Sequence, residues 1–267
     1  MSEPIAPAEA ASLLRTARLE RRTLDPLTDT WTDLDEAWGY AVQAIDRDER
    51  TTAGDALVGA KLGLTSAAKQ ERMHVDRPIV GFLTASMQVH PRELGKTLAD
   101  WAQPRIEPEI AFVTACDIAR ALDDDEVAGA VASVGVAAEI IDSRWTGYRF
   151  RLPDVVADNT SAAGFLLGTD PVSLQEAGDL ADLRCTVTVD GALVHEATGA
   201  AILGHPLRAL RLLSEHLERH GRTLPAGSLV LAGALTDAVP LTAGHDYRFA
   251  IDGLGTIMVP THPASKA

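Results

Sequence analysis

The sequence predicts an α+β fold, and three observations carry that expectation. The first fifty residues repeat their apolar positions at helical spacing. From about residue 57 the pattern changes to short apolar or alternating runs bounded by Gly, Pro and Asp, as strands are. No regular strand–helix–strand alternation, internal repeat or low-complexity linker follows. The expected division is a helical N-terminal segment over 1–54 and one larger β-rich domain over 55–262.

In order along the chain, residues 8–20 read as a first helix. In "TDLDEAWGYAVQAIDRDE" Thr32 pairs with Asp35 as a capping box, and Leu34, Trp38, Ala41, Val42 and Ile45 form one apolar face. The expected strands are "ALVGAKLGL", "IEPEIAFV", "VGVAAEIID", "CTVTVDG", "SLVLAGAL" and "YRFAIDGLGTIMV". Two helices interrupt them: "DDDEVAGAVASV", whose aspartates suit a helix N-terminus, and "HPLRALRLLSEHLERHG", opened by Pro206 and closed by Gly221.

At 267 residues with 46% hydrophobic content the chain can bury a substantial core, and with only 4% aromatics that core must be aliphatic. A net charge of −14 argues against broad binding to nucleic acid or anionic membrane. Cys116 and Cys185 form no C-x-x-C pair; a reduced pair is expected, with one disulfide the alternative. No secretory signal or membrane-length apolar run is visible, so the expectation is a soluble, cytoplasmic protein.

The candidate chemistry begins with "PRIEPEIAFV". On a strand, Glu107 and Glu109 share a face while Ile106, Pro108 and Ile110 take the other, and Pro108 favours an edge or bulge. By itself the pair reads as a solvated strand face. Glu139 adds a third carboxylate, placed after five small or β-branched apolar residues, where a charge is costly unless paired or coordinated. Three converging carboxylates suit a hard divalent ion such as Mg²⁺ or Mn²⁺; for Glu139 alone, a salt bridge to Arg144 is the alternative. Lys61 is one of four lysines against twenty arginines and lies among apolar residues. A partly buried lysine can have its pKa lowered and serve as acid or base; the alternative is a snorkelling strand-end lysine. Asp158, Asn159, Thr160 and Ser161 form a polar knot that reads either as turn chemistry or as a ligand-contacting loop. His216 and His220 stand i, i+4 but lack the H-E-x-x-H pattern, and no phosphate-binding glycine motif occurs.

In their order, "KLGLTSAAKQERMHVDRPIVGFLT", "PRIEPEIAFV", "AAEIIDSRW", "VVADNTSAAGFLLG", "ATGAAILGHP" and "PAGSLVLAGALTDAVPL" resemble the 2-oxopent-4-enoate hydratase and 4-oxalocrotonate decarboxylase family of the fumarylacetoacetate hydrolase superfamily. The resemblance runs from about residue 55 to 257 and implies a β-rich catalytic core with a helical N-terminal part. It implies that Glu107, Glu109 and Glu139 hold Mg²⁺ or Mn²⁺, that Lys61 is an acid/base residue, and that Asp76 is catalytic. It places Asp158, Asn159 and Ser161 near the substrate. Lys69 and "PIVGFLT" lean toward the decarboxylases, with Lys69, Arg72 or Arg77 as holders of a distal carboxylate; His74 and Trp145 depart from the family pattern. The implied reaction is metal-assisted decarboxylation of a 2-oxo-3-enedioate such as 2-oxohex-3-enedioate. Hydration of 2-hydroxypenta-2,4-dienoate is the alternative, acylpyruvate hydrolysis a more distant one, and a non-catalytic partner subunit the rival of another class. A homo-oligomer, able to associate with a pathway hydratase, is also implied.

Overall fold

The computed structural model describes residues 3–66, 70–71, 75 and 78–262. Two N-terminal helices, α1 (Pro7–Leu19) and α2 (Glu36–Thr52), lead into β1 (Leu57–Gly63), β2 (Ile79–Thr84), β3 (Arg105–Thr114) and β4 (Val131–Ile141). A short helix α3 (Leu152–Ala157) and β5 (Ala162–Leu167) follow. The hairpin β6 (Arg184–Val189) and β7 (Ala192–Thr198) then precedes α4 (Leu207–Arg219). The chain closes with β8 (Leu229–Ala234), the short β9 (Val239–Pro240), β10 (Asp246–Ile251) and β11 (Gly255–Pro260).

These strands form two sheets. One runs β2-β1-β8-β3-β4-β5, with β9 also on β3, and only the β1–β8 pair is parallel. The other runs β11-β10-β6-β7. Strand alternation sorts the side chains of the large sheet. Ile106, Ile110 and Phe112 of β3, with Val134, Val136, Ala138 and Ile140 of β4, face the small sheet and α4. There they meet Val187, Phe249, Ile257 and Leu213 in the main core. The odd-numbered residues of β3 and β4 face inward, because the large sheet curls on itself. Val89 N donates to Phe165 O at 2.9 Å, so the segment after β2 returns to β5. Phe82, Met87, Ala111, Ala137, Phe165 and Leu231 line the inside as an apolar floor.

The N-terminal helices complete their own core with residues from beyond 55: Leu14, Leu27, Leu34 and Val42 pack with Trp145 and Ala157. Trp145 is fully buried there, its Nε1 donating to Asp154 O at 2.9 Å, so this departure from the family pattern is a packing residue.

Four sequence expectations are corrected. Helix α2 is capped by Asp35, whose side chain accepts from Trp38 N, rather than by Thr32. Of the apolar face expected for α2, Leu34 and Val42 are buried and Trp38 and Ile45 pack against the same core, whereas Ala41 is exposed. Gly39, Gln43 and Asp46 are buried as well, because Gln43 donates to the carbonyls of Val80 and Val156 and Asp46 binds Arg18 and Arg50. Of the helix expected over 123–134, only Asp124–Val127 and a following 3₁₀ turn form; Val131 onward joins β4, where pairing with β3 outweighs helix propensity. Strand β3 is not an edge: Pro108 lies between β4 and the β8–β9 side. Its carbonyl accepts from Leu235 N there, so its missing donor faces the break between β8 and β9, where no ladder bond is lost. Cys116 and Cys185 are both free. No helix among the described residues is long and apolar enough to cross a membrane.

Candidate metal centre

Register builds the site. Glu107 stands directly opposite Glu139 in the β3–β4 pair, and Glu109, opposite Ala137, is the diagonal neighbour on the same face. One carboxylate oxygen from each of the three lies within 4.8 Å of the others, and all three residues are buried. Like charges facing each other across a pair are destabilising, and in a dry site more so.

Lys61 comes from β1, three strand spacings from β4, about 14 Å along a flat sheet. The curl brings its Nζ to 3.0 Å from Glu139 Oε2 and 3.2 Å from Thr160 O. It is 2% exposed, so it does not snorkel, and Glu139 pairs with it rather than with Arg144. Arg144 instead binds Asp142. Burial pulls the Lys61 ammonium down, but Glu139, Glu109 and Glu107 more than offset it and hold the pKa above the usual lysine value. The lowered pKa expected from sequence is thus reversed by its neighbours. Burial, then the charges of Glu139 and Glu107, push Glu109 well above the usual carboxylate range. Burial likewise raises Glu139, with Lys61 opposing.

A bulge in β8 finishes the site. Between Glu109↔Ala234 and Ala111↔Leu231 the register slips, and Gly233, at φ +108°, turns its N–H to Glu109 Oε2 at 2.7 Å. A Cβ there would lie 2.1 Å from Thr65 Oγ1, so only glycine fits. Among the described residues nothing donates to the other Glu109 oxygen, Oε1, or to Glu139 Oε1.

That donor set fits a hard divalent cation. Two oxygens on one Mg²⁺ or Ca²⁺ lie no farther apart than about 4–5 Å, twice the bond length. Among the described residues, three ionised carboxylates and one ammonium sum to −2, the charge one such ion cancels.

The polar knot divides. Asn159, Thr160 and Ser161 all adopt left-handed backbone, φ +48°, +55° and +62°, which costs non-glycine residues about 1–2 kcal/mol each. The Asn159 amide accepts from Phe82 N and donates to Phe82 O, tying the turn to β2. Gly81 permits the approach, since a Cβ would meet Thr160 Oγ1 at 2.5 Å. The Thr160 carbonyl thereby reaches Lys61, and Ser161 Oγ is buried without a partner among the described residues. Asp158 points elsewhere: its Oδ2 accepts from Arg144 N at 2.7 Å, and burial pushes its pKa up to about 7. Asp76 and Lys69, with Arg72, His74 and Arg77, lie outside the described residues. Gly81 and Gly233 were not singled out by sequence, though a glycine inside an apolar strand run is itself a signal of close approach or a bulge. His216 and His220 hold no metal cluster among the described residues; their rings lie 4.9 and 5.2 Å from that of Tyr40.

Residues 56–260 match the sequence model of the fumarylacetoacetate (FAA) hydrolase C-terminal family. The chain belongs to that family. Among curated relatives it is similar to a 2-keto-4-pentenoate hydratase of Burkholderia vietnamiensis, 40% identical over 96% of this chain and 98% of the relative. It is also similar to a 4-oxalocrotonate decarboxylase of a Pseudomonas species, 40% identical over 82% of this chain and 84% of the relative. Among solved structures, 4-oxalocrotonate decarboxylase from Pseudomonas putida G7, complexed with magnesium and adipate, superposes with a TM-score of 0.89 at 31% identity, covering 97% of each chain. A further structure of that decarboxylase is complexed with calcium and acetate. The α+β fold with a curled sheet is therefore the fumarylacetoacetate hydrolase fold.

Proposed function

We propose that the protein is a metal-dependent decarboxylase of a 2-oxo-3-enedioate such as 2-oxohex-3-enedioate, yielding 2-hydroxypenta-2,4-dienoate and CO₂ in the catabolism of aromatic compounds. The observation that carries this reading is the buried Glu107–Glu109–Glu139 cluster beside Lys61, in a chain that superposes closely on a decarboxylase. The three glutamates would hold Mg²⁺ or Mn²⁺, which when bound acts as a Lewis acid toward the charge that develops on the 2-oxo oxygen. Breaking the C5–C6 bond sends its electrons through C4 and C3 to that oxygen, which takes up one proton. The Lys61 ammonium, steadied by Glu139 and the Thr160 carbonyl, is the donor for it. Ser161 Oγ has hydrogen-bonding capacity to offer the substrate, and the apolar floor keeps water from the dienolate. Asp76 and Lys69 enter this proposal through the family resemblance. So does assembly as a homo-oligomer, which light scattering would check.

With Mg²⁺ and the enedioate, the purified protein should release CO₂. Glu107→Gln should abolish both turnover and Mg²⁺ binding while leaving the fold intact. The second reading, hydration of the dienoate, is favoured by the hydratase relative matched over nearly the whole chain. Consumption of the dienoate without CO₂ release from the enedioate would select it.

A further inference from the structure

Glu107 and Glu109 are not the only polar residues on their face of β3. The β3–β4 register is regular from Arg105 to Val113, so Arg105 shares the inward face with both glutamates. Along that face exposure falls steadily: Arg105 is exposed, Glu107 is 7% exposed and Glu109 is 0%. The carboxylate site therefore opens toward the Arg105 end of the strand.

The guanidinium there is held in place. Its Cζ lies over the Tyr148 ring, 4.7 Å from the centroid, a cation–π contact that holds it beside the ring. Tyr148 is itself fastened, its hydroxyl 2.9 Å from Ile141 O and 3.2 Å from Gln103 O, and Ile141 is the cross-strand partner of Arg105. Among the described residues Arg105 forms this stack and no ion pair, so its donor fork is available to a planar anion.

Resting on the decarboxylase reading above, we propose that Arg105 binds the substrate carboxylate remote from the cation, and so selects a six-carbon dicarboxylate over a monocarboxylate. The lengths agree. Two residues of strand span about 7 Å, and the terminal carboxyl carbons of an extended six-carbon chain are separated by about 6 Å.

A kinetic signature follows from the chemistry. The carboxylate that Arg105 would hold is the one lost as CO₂, so its charge is fading in the transition state. Arg105 then stabilises bound substrate more than the transition state. Its removal should raise KM for the enedioate about 10-fold, with kcat unchanged or higher, because a charged hydrogen bond is lost from the ground state. The product, lacking that charge, has no hold on Arg105.

The test compares wild type, Arg105→Met and Arg105→Lys, all folded by thermal melt since the side chain is exposed. Hexanedioate and hexanoate are titrated calorimetrically with Mg²⁺ present, and the enedioate is assayed for CO₂. Arg105→Met should weaken hexanedioate about 10-fold and leave hexanoate unchanged, with Arg105→Lys intermediate. Equal loss for both ligands, no loss for either, or a fall in kcat with KM unchanged would overturn the assignment. If the wild type releases no CO₂ but still discriminates hexanedioate through Arg105, the decarboxylase reading fails and the dicarboxylate subsite stands.

Discussion

Two clusters of buried charge lie within a few residues of each other along the chain, and they are built on opposite principles. Around Asp142, Arg144 and Asp154 the carboxylates are closed off. Asp142 accepts from the N–H groups of Ala102 and Gln103 and from Arg144; Asp154 accepts from Thr28 N, Thr28 Oγ1 and Arg151 N. These bonds tie the α1–α2 connection to α3, and the residues just before β3 to those just after β4; among the described residues of this cluster only Arg144 Nη1 is left over. In the cluster of Glu107, Glu109 and Glu139, by contrast, Glu109 Oε1 and Glu139 Oε1 are buried with no donor among the described residues, and three carboxylates converge beside Lys61. Buried charge that holds a fold together is satisfied by the chain itself. Buried charge left unsatisfied points to something from outside.

That contrast can be broken by substitution. The largest effect is expected for Glu109→Gln, which should weaken Mg²⁺ by more than about 100-fold in a calorimetric titration, since even outer-shell changes cost 10–100-fold. Without metal the same variant should melt no lower than wild type, because it removes like-charge repulsion while its amide oxygen still accepts from Gly233 N. A clear loss of metal-free stability would mean the carboxylates are structural. Asp142→Asn should do the reverse: it strands Arg144 in the interior, at a cost of about 3–5 kcal/mol in denaturant unfolding, with no direct change at the cation.

Gly81→Ala should cost about 1–3 kcal/mol through overpacking against Thr160, and should disturb Lys61 by moving the carbonyl that steadies it. A variant of wild-type stability and activity would show that the left-handed turn is not held by this contact. The last effect is one of pH. Asp158 has its pKa raised from 3.8 to about 7, so its contribution to stability is complete below about pH 4 and is lost as pH rises through 7. Asp158→Asn, which stays neutral, should remove that part of the slope. Its melting temperature relative to wild type should therefore rise by a few degrees between pH 4 and 8.

Much of the site was legible in the residues. A glutamate pair at i, i+2 and a third glutamate amid apolar residues point to a shared cation, and a lone lysine in an apolar run points to burial. What those residues did not reveal was their partners. The salt bridge considered for Glu139 was to Arg144, five residues on, whereas the partner is Lys61, 78 positions back. Local spacing favours near neighbours, and only sheet curvature brings β1 against β4. The polar knot showed the same limit: its residue types indicated a turn or a ligand loop, yet its side chains go to Phe82, to Arg144 and into the interior.

By itself, then, the sequence determined which side chains share a face, because alternation along a strand is a local property. It also determined that carboxylates would be buried, because their neighbours are apolar. The tertiary structure decided register, curl and the β8 bulge, and with them which face is inside and which lysine answers which glutamate. Those depend on contacts between segments far apart in the chain, whose free energy exists only once the whole sheet has closed.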